Sequence, residues 1–365
     1  MQGLYRISPI QLLVLLVSMM MGVGILTLPR GVTDAVGTPD GWIAVILAGL
    51  LTTIPVAAIG KLSAVFPRQH FLHYSQEIAG KHLGWLLGFL YSCYFIMFLA
   101  FEVRVLGEVV RQYLMDKTPK EVLIVMAFFS SVYLVTGGLG SVVRINQLFL
   151  PIMVVVILTV FLLSVQNFEM KNVQPILSKG FSPLAKGIPQ ATLSYLGFDI
   201  LLVFSAYLEK PEKAVLMGIM AVAIVCVIYT VNVFLGIGTF GAETLVTLIW
   251  PTLEMVKGIE IPGGFVERLE SLFLTIWIMA IFTTLSIMHF LASLILGQLF
   301  NRDQRWFSYA ILPVSYIVTM SPKGLIDVFA FGAFLSNIGI FFAGAVPILL
   351  LLIARIRRLG TYAEK

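Results

Sequence analysis

Long apolar blocks alternate with short polar joints along the whole chain. They fall at about 10–28, 42–59, 83–113, 122–135, 148–165, 188–208, 215–240, 266–299, 307–320 and 328–353. Most approach or exceed the ~20 residues that a helix needs to cross a bilayer. An open strand or loop cannot satisfy its backbone in lipid, so each block is read as a helix. The pattern predicts an all-α integral membrane protein with ten transmembrane helices, in one polytopic domain over residues 1–365. The first block is long, lacks a small-x-small cleavage pattern and precedes nine others, so it is a span and not a signal peptide. Helical patterning in the third block continues to Tyr113. At ~30 residues and ~45 Å it outruns the hydrocarbon core, and predicts a helix that tilts or projects.

Two blocks are interrupted by glycine at half depth. The first reads Met21-Gly22-Val23-Gly24-Ile25-Leu26-Thr27-Leu28-Pro29, and the sixth reads Ser194-Tyr195-Leu196-Gly197-Phe198-Asp199. They are the leading members of two five-helix halves, about 8–165 and 186–354. Matched interruptions of this kind point to an inverted-repeat transporter fold with a site at the midplane. Glycine lowers the cost of leaving helical φ/ψ. The half-helix that restarts after the break carries partial positive charge, so the N–H groups of Gly24, Ile25 or Leu26 suit a carboxylate. Carbonyls freed at the same break suit an ammonium. A zwitterionic amino acid fits both. The alternative is that Gly22 and Gly24 only allow helices to pack closely.

Composition supports this picture. Hydrophobic residues make up 59% of the 365 and charged residues 12%, too few charges to clothe a soluble protein of this size. The net charge of +5 has a membrane explanation. Its densest cluster, Arg355, Arg357 and Arg358, directly follows a hydrophobic block and reads as a cytoplasmic edge anchor, not a nucleic-acid patch. With ten spans and a slight Lys/Arg excess on the N-terminal side, both termini are expected in the cytoplasm. Cys93 and Cys226 lie in apolar blocks and read as core thiols. There is no Walker A pattern, no metal-ligand spacing and no plausible Ser–His–Asp set, so no cofactor and no enzyme activity are expected.

Polar residues at membrane depth are candidate site residues, because they are expensive there. Asp199 follows the second break and is read as lining a substrate or ion cavity, or as an inward structural acid. Glu102 is out of phase with the Arg104–Glu108–Arg111 ladder, and faces either the site or the outer interface. Thr283 and Thr284 can line the cavity or hold an ion, or can bond their own i−4 carbonyls. His289 is read as an interhelical hydrogen-bond residue. Tyr94, Phe98, Tyr195 and Phe198 are candidates for gating or shaping a pocket.

Several motifs carry a family resemblance over nearly the whole chain. They are Gly22–Arg30, Thr38-Pro39-Asp40-Gly41-Trp42, Phe101-Glu102-Val103-Arg104, Leu248-Ile249-Trp250-Pro251-Thr252, Glu267-Arg268-Leu269-Glu270-Ser271 and Phe282-Thr283-Thr284. Together they resemble the spore germination receptor B-subunit family, within the amino acid–polyamine–organocation superfamily. The resemblance implies a LeuT-like fold, a 5+5 inverted repeat with discontinuous helices 1 and 6, in the spore inner membrane. It implies a nutrient sensor, usually for an amino acid, that assembles with an A subunit and a lipoprotein C subunit. It places ligand-pocket positions at Gly22, Gly24, Leu196, Gly197, Phe198, Thr284 and Met288. Asp199 stands where related chains can carry a glutamate.

The fold alone leaves two functions open. One is a sensor whose ligand shifts a rocking equilibrium read by partners, with Leu248–Thr252 and the extension of the third span as candidate partner surfaces. The other is an amino-acid symporter coupled to Na⁺ or H⁺ that works alone.

Overall fold

The computed structural model describes residues 5–260 and 268–360. Glu267 of the motif above, the end of the loop before it and Lys365 lie outside the described residues. Among those described there is no strand, only one isolated bridge between Ile7 and Leu208.

The first span is two helices. α1 (Pro9–Met20) begins with Ser8 and Gln11 in a reciprocal capping box, which satisfies two otherwise orphaned N–H groups. α2 (Gly24–Val36) restarts after three residues, at 55° to α1. α3 (Gly41–Val65), a short α4 (Phe71–Ala79) and the long α5 (Lys81–Tyr113) follow. The 33 residues of α5 span about 50 Å, as its patterning predicts. Then come α6 (Lys120–Thr136) and α7 (Leu139–Ser164). α7 starts earlier than hydropathy alone suggests, because Arg144 and Asn146 fold their polar ends back onto the helix, to the carbonyls of Gly140 and Val142.

The sixth span is broken again. α8 (Ser182–Ser194) gives way at Gly197 to a tight 3₁₀ turn, a single helical turn α9 (Leu201–Phe204) and a further 3₁₀ turn ending at Tyr207. The two parts meet at 49°. The remainder comprises α10 (Ala214–Phe240), α11 (Ala242–Leu245), α12 (Pro251–Lys257), α13 (Leu269–Leu299), α14 (Gln304–Met320), α15 (Leu325–Gly339) and α16 (Val346–Ile356).

Among the described residues six continuous helices are long and apolar enough to cross a membrane, and the two bent pairs raise this to eight. α6 and α14, each of 17 residues, complete the expected ten at the short end of the spanning range. α15 and α16 form one crossing joined by a π-helical stretch, Ile340–Ala345. In that register the Phe342 carbonyl would pair with residue 347, but Pro347 has no N–H. The Tyr91 hydroxyl of α5 takes its place, at 2.5 Å.

α13 is the most enclosed span. It packs against α5, α7, α14 and α6, and α1 also touches it. His289 joins three helices there: the Ser131 hydroxyl of α6 donates to Nδ1, and Nε2 donates to the Ser308 carbonyl of α14, each at 2.8 Å. On the N-terminal side, Ile7 N–H donates to the Tyr207 carbonyl (2.9 Å) and Glu209 N–H to the Ile7 carbonyl (3.0 Å). The bases of the two broken spans are thereby tied together.

Candidate functional site

The first break is built by residues from four other helices. Met21 and Val23 keep φ of −91° and −63°, so no left-handed residue is needed to turn the chain. What the turn needs is space. A Cβ on Gly22 would lie 2.7 Å from Glu102 Oε1, and a Cβ on Gly24 would lie 2.7 Å from the Tyr229 hydroxyl and 3.2 Å from Ser194 Cβ. Both glycines therefore admit side chains of other helices against the bare backbone.

Those side chains satisfy the groups that the break exposes. Val23 N–H donates to Glu102 Oε1 of α5, at 3.4 Å. The Tyr229 hydroxyl of α10 donates to the Met20 carbonyl. The Thr284 hydroxyl of α13 contacts the Ser18 carbonyl (3.3 Å) and its own i−4 carbonyl at Ala280 (3.2 Å). The Ile25 carbonyl would normally pair with the N–H of residue 29, which is Pro29 and has none. Asn232 Nδ2 of α10 (2.8 Å) and the Thr252 hydroxyl of α12 (2.7 Å) donate to it instead. Thr252 and Asn232 lie 3.2 Å apart through their side-chain oxygens.

The second break works differently. Gly197 has φ of +113°, a left-handed value that disfavours any side chain. A Cβ there would also meet Met19 Cγ at 2.7 Å, so the two breaks touch. Asp199 is fully buried; no side chain among the described residues bonds its carboxylate, which faces the backbone N–H groups of Gly197 and of Asp199 itself.

A cavity of about 360 Å³ opens beside the first break, within the range of small-molecule sites. Gly24, Thr27, Leu28 and Gly31 line it from one stripe of α2, Phe98, Glu102 and Val105 from α5, Gln190 and Ser194 from α8, and Leu196 from the second break. Arg30, Asp34 and Phe329 stand around the same space, with the Arg30 guanidinium 5.4 Å from the Phe329 ring centre. Among the residues singled out from the sequence, Gly22, Gly24, Phe98, Glu102 and Leu196 lie on its wall. Ile25, Gly197, Phe198, Asp199, Thr283, Thr284 and Met288 are buried behind it. Thr283 donates to the Ala280 carbonyl at 2.6 Å.

Three details depart from the sequence reading. The Leu26 N–H is already donated to the Val23 carbonyl, at 3.0 Å, and does not wait for a ligand. The Ser18 and Met20 carbonyls are likewise taken. The Leu248–Thr252 loop is no free partner surface: Trp250 is fully buried, donates to Gln112 at 3.1 Å and stacks obliquely on Phe329, while Thr252 is held inside on α2. The extension of α5 is largely buried from Glu102 to Val110, and its end is exposed at Arg111 and Gln112. Arg30, Gln190 and Ser194 were not singled out as site residues. Arg30 and Ser194 stand inside the break motifs, which was the one available signal.

The Thr-Pro-Asp-Gly-Trp motif fixes the turn after α2. Gly37 closes α2 with φ of +65°. Asp40 accepts from the Thr38 hydroxyl and from Leu177 N–H, both at 2.8 Å, pinning the loop before α8 to the start of α3.

Ten helical crossings with the first and sixth broken and touching at half depth define a protein of the LeuT-like transporter fold. Two solved structures agree: MhsT in complex with L-phenylalanine, with a TM-score of 0.69 at 13% identity over 96% of this chain and 89% of that one, and the nucleobase-cation-symport-1 family transporter Mhp1, with 0.68 at 14% over 98% and 80%. The particular family comes from sequence. The model described as "Spore germination protein" matches residues 6–328, and the spore germination protein YndE of Bacillus subtilis is 37% identical over 97% of this chain and 98% of its own length. The chain belongs to this family of spore germination proteins and is an integral, multi-pass membrane protein.

Proposed function

We propose that this chain is the nutrient-sensing B-type subunit of a spore germination receptor, and that its nutrient is an amino acid bound in the cavity beside the first break. The observation that supports it most is the placement of that cavity. It sits against the unwound segment between α1 and α2, with Leu196 of the second break on its wall, in a fold shared with a protein that holds L-phenylalanine. Gly22, Gly24 and Leu196 would touch the ligand. Ile25, Gly197, Phe198, Asp199, Thr283, Thr284 and Met288 would hold the shape of the two breaks.

On this reading residues 8–165 and 186–354 are the two inverted repeats. Both termini face the cytoplasm of a spore inner membrane, and an A subunit and a lipoprotein C subunit read the state of the chain. A ligand shifts that state only if it binds one conformation more tightly than another. The tie between Ile7 and Tyr207–Glu209 is the contact that an opposite conformation would have to release.

The test is a binding screen of the twenty amino acids on the full chain in lipid nanodiscs, alone and with the A and C subunits. Saturable binding that Gly24→Val removes is the expected result, and no binding in either form overturns the reading. The transporter-like fold favours one rival, an ion-coupled symporter working alone. Robust ion-driven accumulation by the isolated chain in liposomes would establish that rival.

A further inference from the structure

We infer that Glu102 receives the ammonium group of the ligand, so that the cavity selects its guest by the amine before the carboxylate. This rests on the proposed function and specifies the chemistry of the same site.

The positive end of a half-helix is the ordinary seat for a ligand carboxylate. Here that seat has an internal tenant. Glu102 Oε1 already accepts from Val23 N–H, and both carboxylate oxygens press on Gly22, where a Cβ would stand 2.7 and 2.9 Å from them. A ligand carboxylate placed there would meet a like charge.

The second oxygen tells what the site lacks. Glu102 is 3% exposed, lines the cavity, and its Oε2 has no hydrogen-bond partner among the described residues. Nor does Glu102 enter any ion pair among them: Arg104, two residues on, pairs with Glu108 at 2.9 Å. In its ionised form a carboxylate only accepts, so the partner that would complete that form is a donor, and a cationic one compensates the charge that burial otherwise disfavours. Of the carbonyls at the break, those of Met20 and Ser18 already accept from Tyr229 and Thr284, and neither carries the negative charge that Glu102 offers an ammonium. Arg30 lines the same cavity and offers a cationic partner for the guest's carboxylate.

The experiment uses the full chain in nanodiscs and three probes: the amino acid that binds best in a twenty-member panel, its 2-hydroxy-acid analogue and its decarboxylated amine. The amine should keep its affinity within about tenfold. The hydroxy acid should lose about 30-fold or more, as expected when a buried charge loses its partner. Glu102→Gln should weaken the amino acid by a similar factor, and Glu102→Asp should recover part of it. A hydroxy acid that binds as well as the amino acid overturns the inference, and this comparison needs no variant to fold. Unchanged or tighter binding by Glu102→Gln overturns it too, because it would put the ligand carboxylate on Val23. Failure of all twenty amino acids to bind is a separate result that removes the sensor reading itself.

Discussion

The two broken spans meet at half depth, yet their glycines serve opposite needs. At the first break the backbone stays within ordinary right-handed torsions, and Gly22 and Gly24 are required because Glu102 and Tyr229 come within 2.7 Å of where a Cβ would be. At the second break Gly197 is required by its own φ of +113°. The first break is also crowded with donors and acceptors from α5, α10, α12 and α13, whereas Asp199 beside the second has no side-chain partner among the described residues. One break is held by its neighbours and the other by its own conformation. Substitution of the glycines should therefore act mainly on binding at the first and on folding at the second.

The largest effects should come from a matched pair of changes. Gly197→Val forces a β-branched residue into a left-handed conformation, at roughly 1–2 kcal/mol, and drives it into Met19, adding about 1–3 kcal/mol of overpacking. Its thermal unfolding midpoint in detergent should fall well below that of the native chain. Gly24→Val meets the Tyr229 hydroxyl and Ser194 at the cavity wall, so ligand binding should fall by about 100-fold or more through overpacking of the site, with a smaller change in midpoint. Equal losses of stability in the two variants would erase the distinction between the breaks.

The next effect tests the borrowed hydrogen bonds. Pro29 leaves the Ile25 carbonyl without its helical donor, and Asn232 and Thr252 replace it. Removing one donor leaves the other in place, so Thr252→Val should cost about 1 kcal/mol, while losing both strands a buried acceptor at about 1–3 kcal/mol. A double-mutant cycle with Asn232→Leu should give a coupling of about 0.5–3 kcal/mol in unfolding free energy. Strict additivity would mean that the carbonyl does not link α12 to α2.

A smaller contrast concerns α13. Thr284 contacts the Ser18 carbonyl on α1, across the first break, whereas the Thr230 hydroxyl on α10 is buried with no partner among the described residues. Thr284→Leu should weaken ligand binding about 10-fold, the scale of a neutral hydrogen bond. Thr230→Val should leave it nearly unchanged. Equal effects would remove α13 from the support of the first break.

Much of this architecture is legible in the residue pattern, for physical reasons. Ten apolar blocks can only be helices in lipid, and glycines at matched positions mark the two interruptions. What the pattern hides is which distant group meets which break. Helical phase separates Glu102 from the Arg104–Glu108 face but does not say what lies opposite. The Ile-Trp-Pro-Thr segment reads as an exposed loop because it follows a span. In the structure Thr252 reaches the carbonyl of Ile25, 227 residues earlier, and Trp250 is fully buried. Contacts of that range leave no local periodicity. The π-helical stretch in the last span, and the tyrosine that supplements it, are invisible for the same reason.

Asp199 gives the smallest expected effect and the sharpest test of how the second break is held. An acid at this depth suggests a wall residue of the site, yet the cavity wall passes through Leu196 and stops short of Asp199. Its burial is complete, its oxygens have no side-chain partner among the described residues, and such a group is costly at bilayer depth unless something compensates it. Asp199→Asn keeps the shape and removes the ionisable group. If the break is held by the torsion of Gly197, ligand affinity should change by less than about threefold, under ~1 kcal/mol. The unfolding midpoint should hold or rise, because Asn is nearly isosteric and removes the desolvation penalty of a buried ionisable group. A large loss of affinity in Asp199→Asn, with folding intact, would instead bring the carboxylate into the binding event. The second break would then depend on a polar partner just as the first does, and the contrast between the two would fail at its most exposed point.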